Sequence, residues 1–303
     1  MPSSIKYILG GLVALLVIVG LLVWLWPEVP EEMPPIVDET PVVEEVVTPV
    51  YPEISVIGSS VAGRDISAYV FGEGEKEILF VGGMHGGYEW NSSLLAYEFI
   101  DHLSSNLDMI PEGVRVSVIP VLNPDGLALV TGSGGRFAAT DVPDPTTRVS
   151  DGRFNKNYVD LNRNFDCKWA PESSWRGAPV SAGTAPFSEP EAAALRDYVT
   201  ANAPDAVVFW HSQANNVYAS ECHTGPLPET LALMNAYANA AGYGAVPAFT
   251  AYPITGDAEG WLASIGIPAI TVELKTYQSI EWAQNLAGVN AILSHFGNKN
   301  LAR

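Results

Sequence analysis

The sequence predicts an α/β fold, a three-layer α/β/α domain with a mixed, largely parallel central sheet, preceded by one transmembrane helix. Three observations carry this expectation. From Glu53 onward strand-like and helix-like stretches alternate, the pattern of helices laid on both faces of a sheet. The strand-like stretches are short Val/Ile-rich runs, as expected of strands buried on both faces. Ahead of them, Ile5 to Trp26 is almost continuously apolar, broken only by Lys6 and glycines.

Taken in order, residues 1–4 form a cytoplasmic N-terminus and residues 5–26 a signal anchor. About 20 residues cross a hydrocarbon core at roughly 1.5 Å per residue. A cleaved signal peptide is the rival reading, but its apolar region is shorter and ends at an Ala-x-Ala-like site. Here the stretch runs into Trp24-Leu25-Trp26-Pro27, an aromatic pair suited to the membrane interface. Lys6 lies near the start and acids follow the span, which places the N-terminus in the cytoplasm and the remainder outside it. Residues 27–52 form a linker with repeated prolines, the acids Glu28, Glu31, Glu32, Asp38, Glu39, Glu44 and Glu45, and no basic residue. Such a segment buries no core and stays extended.

Residues 53–303 form the globular part. Its strands are expected at Ile66–Phe71, Glu77–Val81, Val114–Val121, Ala206–Trp210 and Ala269–Glu273. Its helices are expected at Trp90–Leu103, Glu189–Ala201, Leu227–Ala241, Gly256–Ile265 and Ser279–His295. Ser188-Glu-Pro190-Glu reads as a helix start, with Ser188 as the cap and proline in the first turn. Asn123-Pro-Asp-Gly126 reads as a turn. The formal charge of −19 argues against a nucleic-acid partner. Nothing in the pattern indicates an oligomeric state.

His85 and Glu89 follow the apolar run Glu77–Val81, and His211 ends the run from Ala206. Two imidazoles and one carboxylate at the ends of core strands form the ligand set of a catalytic zinc site with one open position. The chain has only five histidines, so two in this context carry weight. His102, His223 and His295 show no ligand spacing.

Further short blocks follow in order: Gly152-Arg153-Phe-Asn155, Val159-Asp160-Leu-Asn162-Arg163-Asn-Phe-Asp166, Tyr252-Pro-Ile-Thr-Gly256 and Ala269-Ile-Thr-Val-Glu273-Leu-Lys275. On these motifs the stretch from Ser55 to Gly288 resembles the zinc metallocarboxypeptidases of the pancreatic type, in particular their compact bacterial members. The resemblance implies one zinc per chain, held by His85, Glu89 and His211. The family places two residues between the first pair, whereas this chain has three, Gly86-Gly87-Tyr88; the glycines allow the loop to absorb one more.

The resemblance further implies that Asp160 accepts from His85 and that Arg153 polarises the scissile carbonyl, with Arg136 and Arg148 as rivals for that task. Asn162 and Arg163 would grip a terminal carboxylate, with Tyr252 as a mobile substrate contact and Glu273 as the general base. Glu259 falls at a position that shapes the side-chain pocket, where an acid suits a basic C-terminal residue; a helix-surface position is its alternative. Cys167 and Cys222, the only cysteines, either form a disulfide beside the site or remain buried thiols.

The expected activity is hydrolysis of the last peptide bond of peptide or protein C-termini, on a chain held to a lipid bilayer by its N-terminal helix. Two alternatives stay open: a related zinc amidohydrolase acting on cell-wall peptide or an acyl-amino acid, and a non-catalytic peptide-binding module on a stalk. A candidate for every catalytic role favours an enzyme.

Overall fold

The computed structural model describes residue 24, residues 50–144, residue 146 and residues 149–298. These fall, apart from residue 24, in a single compact unit that begins at Pro49. The expected span apart from Trp24, and the linker up to residue 49, lie outside the described residues. Among the described residues no helix is long and apolar enough to cross a membrane.

The strands are β1 (Glu53–Ser59), β2 (Asp65–Phe71), β3 (Lys76–Val81), β4 (Val114–Ile119), β5 (Glu172–Trp175), β6 (Ala178–Ser181), β7 (Ala206–Ser212), β8 (Asn216–Ala219), β9 (Gly244–Val246) and β10 (Ala269–Leu274). The helices are α1 (Trp90–Ser105), α2 (Pro124–Thr131), α3 (Pro190–Asn202), α4 (Pro228–Ala241), α5 (Ala258–Ser264) and α6 (Trp282–Asn298). Eight strands form one mixed sheet in the order β1-β2-β4-β3-β7-β10-β8-β9. Its centre, β4-β3-β7-β10, is parallel throughout. Antiparallel pairings join β1 to β2, β2 to β4 and β10 to β8.

The central strands are apolar along their length because both faces are covered. In β3, Ile78 and Phe80 enter one core cluster while Leu79 and Val81 enter the other. All four are fully buried, and each such side chain contributes about 1.5–3 kcal/mol by leaving water. Helices α1, α4 and α6 pack on the first face through Phe99, Tyr237 and Ile292, and α3 and α5 on the second through Leu195 and Trp261. Phe80 stacks on Trp210 at 5.2 Å between ring centres, tying β3 to β7 on the α1 side.

Asn123-Pro-Asp-Gly126 does not form a free turn: it opens α2, with the Asn123 side chain accepting from Gly126 N and Pro124 in the first turn. The same residue types serve a turn and a helix start, and the apolar Leu127 behind them decides for the helix. Ser188 does not cap α3. The capping position is Glu189, and the Ser188 hydroxyl donates to the Glu189 carboxylate.

After β3 the chain crosses to β4 on one side, and after β7 it continues to β8, beyond β10, on the other. The carboxyl ends of β3 and β7 therefore flank a topological switch point, the usual place for a site in an open α/β sheet.

Candidate functional site

His85 follows β3 and begins a single 3-10 turn, Gly86–Glu89, which runs into α1. This turn absorbs the third residue between His85 and Glu89. Gly86 sits at φ +46°, and a Cβ there would come within 2.7 Å of Gly152 O and 2.8 Å of Leu127 N. Only glycine fits so close to two backbones. His211 is the sixth residue of the fully buried β7 and pairs in register with Glu273 on β10.

The three side chains converge. Glu89 Oε1 lies 3.0 Å from His85 Nδ1, Glu89 Oε2 lies 3.0 Å from His211 Nδ1, and the two Nδ1 atoms are 3.1 Å apart. Ligand atoms about 2.0–2.1 Å from a tetrahedral zinc stand roughly 3.3 Å from one another. The donor set and its spacing fit one zinc ion, and these three form the metal-ligand cluster found among the described residues. Burial opposes ionisation of Glu89, but the facing His85 and His211 hold its carboxyl well below the usual carboxylate range. Burial likewise disfavours a charged His211, yet Glu259 and Glu89 beside it raise the imidazole to about 10.

Asp160 is completely buried and joins two parts of the site. Its Oδ1 stands 3.4 Å from His85 Nε2, and its Oδ2 accepts from Arg153 Nε at 2.9 Å and pairs with Nη2 at 2.8 Å. Burial works against its charge, and the Arg153 guanidinium overcomes this and holds the carboxyl far below its ordinary value. Arg153 Nη1 lies 3.6 Å from Glu89 Oε1, and its guanidinium covers the Trp175 ring at 4.5 Å. Of its rivals, Arg136 is exposed and pairs with Asp101, and Arg148 lies outside the described residues.

Arg163 ends the short turn Leu161–Arg163. Its Nε and Nη2 each donate to Ser174 O at 3.2 Å, and Nη1 donates to Asn162 O. It is 2% exposed, and no carboxylate of the described residues lies within ion-pair distance of it. Asn162 Oδ1 accepts from Ala258 N at 2.9 Å, anchoring the start of α5. Both residues line a cavity of about 650 Å³ that also contains the triad, Tyr252, Glu259 and Glu273. Tyr252 is half-buried and meets Phe249 edge-on at 4.9 Å.

Among the described residues, nothing hydrogen-bonds to the buried Glu273 Oε2. Burial, reinforced by the charge of Glu89, raises its carboxyl to about 7. Glu259 is buried, with Oε1 3.4 Å from His211 Nε2 and 3.1 Å from the Thr271 hydroxyl. Cys167 and Cys222 form a disulfide that ties the Arg163 segment to the loop after β8. His102 packs on Trp282 and His295 pairs with Glu229, both away from the triad.

Sequence reasoning missed the β5–β6 hairpin, whose Ser174 and Trp175 hold both arginines. One signal was present: Arg176-Gly177 between the strands, at φ +53° and +80°, as a type I′ turn requires. Thr271, which bonds Glu259, was also missed, because nothing in a strand sequence singles out one polar residue.

Residues 47–289 match the family described as zinc carboxypeptidase. Among curated proteins, the gamma-D-glutamyl-L-diamino acid endopeptidase 1 of Lysinibacillus sphaericus is 26% identical over 238 residues, 72% of this chain and 59% of that protein. Carboxypeptidase B of Astacus astacus is 29% identical over 254 residues, 79% of this chain and 78% of that protein. Among solved structures, murein-tripeptide amidase MpaA from Escherichia coli O157 superimposes with a TM-score of 0.60 at 23% identity, over 84% of this chain and 95% of that one. Bovine thrombin-activatable fibrinolysis inhibitor, in complex with tick carboxypeptidase inhibitor, gives 0.63 at 20%, over 82% and 91%. At these identities the structural likeness establishes the fold. The chain spans about three fifths of the length of the first of these curated relatives.

Proposed function

The chain belongs to the zinc carboxypeptidase family of peptide hydrolases, and on that premise we propose that it hydrolyses the last peptide bond of a substrate with a free C-terminal carboxylate. One observation carries this reading: Arg163, a buried cation with no carboxylate partner among the described residues, shares a cavity with the His85–Glu89–His211 triad and the unpartnered Glu273. A guanidinium fork held from behind by two carbonyls is suited to a terminal carboxylate, which accepts two parallel charge-assisted hydrogen bonds.

His85, Glu89 and His211 hold the zinc, which when bound supplies a Lewis acid that polarises a carbonyl and acidifies a water. Glu273 takes the proton of the attacking water and passes it to the leaving amine, a task suited to a carboxyl raised towards neutrality. Arg153, fixed by Asp160 and the Trp175 ring, places positive charge beside the oxygen that becomes negative as the carbonyl is attacked. Arg163, with Asn162 and Tyr252 beside it in the cavity, binds the free terminus.

A second reading concerns the substrate. Similarity to a gamma-D-glutamyl-L-diamino acid endopeptidase favours a cell-wall peptide over a protein tail. Residues 5–26 would anchor the enzyme and 27–52 hold it off the bilayer, with residues 53–303 outside the cytoplasm; a disulfide beside the site suits an oxidising compartment. The test is zinc analysis of the fragment from about Glu53, with release of C-terminal residues from a protein peptide and from a wall tripeptide compared directly. Stoichiometric zinc with no residue released from either substrate would sink the proposal. Cleavage of the wall peptide alone would narrow it.

A further inference from the structure

The two imidazoles of the triad are arranged alike. Each turns Nδ1 into the shared centre and leaves Nε2 beside a buried carboxylate: His85 Nε2 by Asp160 Oδ1 and His211 Nε2 by Glu259 Oε1, both at 3.4 Å. Among the described residues neither buried Nε2 makes a hydrogen bond, so the nearest acceptor for each is that carboxylate. An imidazole that gives Nδ1 to a metal carries its proton on Nε2, and a buried donor of that kind requires an acceptor. Resting on the zinc reading above, we propose that Glu259 is the positioning residue of His211, fixing its tautomer and ring plane as Asp160 does for His85. The site is then clamped by two buried carboxylates rather than one.

Glu259 is itself immobilised. Its Oε1 accepts from the Thr271 hydroxyl at 3.1 Å, and Thr271 stands two residues before Glu273 on the same face of β10. The start of α5 is pinned from both sides. The Asp257 side chain accepts from Gly260 N at 2.7 Å, and Ala258 N donates to Asn162 Oδ1 at 2.9 Å. Just before it, Gly256 exchanges backbone bonds with Phe165 and Cys167, at 2.9 and 2.7 Å. A carboxylate that selected basic side chains would need its oxygens free for an incoming cation. Here the residue is 4% exposed, and the oxygen nearest His211 is already shared with Thr271.

The decisive readout is the rate at which zinc passes from the intact protein to a chromophoric chelator. Glu259→Ala is expected to speed zinc loss by about 10–100-fold. Glu259→Gln keeps an acceptor oxygen and should recover part of that loss. Thr271→Val should shift the rate in the same direction by a smaller factor, and the visible bands of the cobalt-substituted protein should move in step. The ratio of terminal lysine to terminal leucine released should stay unchanged in all three. Zinc loss within two-fold of wild type in Glu259→Ala overturns the proposal, as does collapse of lysine release with zinc loss unaltered, which would return Glu259 to the side-chain pocket. If circular dichroism shows that both Glu259 variants are unfolded, Thr271→Val decides: faster zinc loss supports the role and an unchanged rate overturns it. A wild-type chain that binds no zinc defeats the functional reading as well, whereas a zinc-loaded wild type with an indifferent Glu259→Ala defeats this inference alone.

Discussion

The wall of the cavity that carries His85, His211 and Glu273 rests on the ends of three neighbouring parallel strands, β3, β7 and β10. The wall that carries Arg163, Tyr252 and Trp175 is assembled from a single turn, a loop and a two-stranded hairpin. On the first wall the backbone is fixed by sheet pairing, Glu273 with His211 in register, and by two apolar cores pressed against it. On the second, position is fixed by side-chain bonds to carbonyls, by a ring under a guanidinium and by one disulfide. On the proposed function, the proton acceptor and two of the three metal ligands belong to the rigid wall, and the groups that meet the substrate terminus belong to the adjustable one.

This contrast predicts that changes to the strand wall act on turnover and changes to the loop wall act on binding and stability. The largest effect is expected at Glu273. Glu273→Gln should lower kcat by about 10²–10⁴-fold while zinc content stays at one per chain; undiminished turnover would remove Glu273 from the chemistry. The pH profile follows from the same residue. Burial and Glu89 raise its carboxyl to about 7, and a base works only when deprotonated. The kcat/KM of the wild type should therefore climb with pH through the neutral range and fall below it. A limb near the ordinary carboxylate value would contradict the strand-wall picture.

Next in size is the disulfide. Replacing Cys167 and Cys222 together by serine should destabilise the domain by about 2–4 kcal/mol, read from denaturant midpoints. It should raise KM more than it lowers kcat, because the bond ties the Arg163 segment to the loop after β8 and not to any of the three strand ends. Loss of zinc in that variant would break the division between the walls. Arg163→Met should cost about 1.5–3 kcal/mol of substrate binding, the range for hydrogen bonds to a charged group, seen as a raised KM with zinc retained.

The same division decides what could be read from the chain. His211 and Glu273 each close an apolar run and His85 follows another by four residues, so the pattern that predicts a strand also marks where the site begins beyond its end. The long helices and the five central strands show for the same reason: burial on one or both faces imposes an apolar pattern. Strand β1 escaped notice because it is an edge with Ile54 and Val56 largely exposed. The four-residue strands of the β5–β6 hairpin are too short and too polar for a period, and Pro179 inside β6 argues against a strand. Glu259 shows the limit from another side. Its place in the chain suggested the side-chain pocket, but the direction of its carboxylate depends on Thr271 and His211, contacts made only when α5 packs on β10.

The smallest effect tests the weakest joint of the adjustable wall. Trp175 lies under Arg153 at 4.5 Å and meets Tyr88 edge-on at 5.0 Å, so one ring braces both the arginine and the turn that carries Glu89. A desolvated cation–π contact is worth about 0.5–2 kcal/mol. Trp175→Leu keeps the bulk and removes the ring, so it should lower kcat/KM by roughly two- to thirty-fold, the same energy expressed as a rate ratio. Arg153 is also held by two contacts to Asp160, and those survive the substitution, which keeps the loss below that of removing the arginine. If Trp175→Leu instead abolished turnover as completely as Glu273→Gln, the hairpin would belong with the strand ends as part of the rigid machinery, and the boundary between the two walls would have to be redrawn through β5.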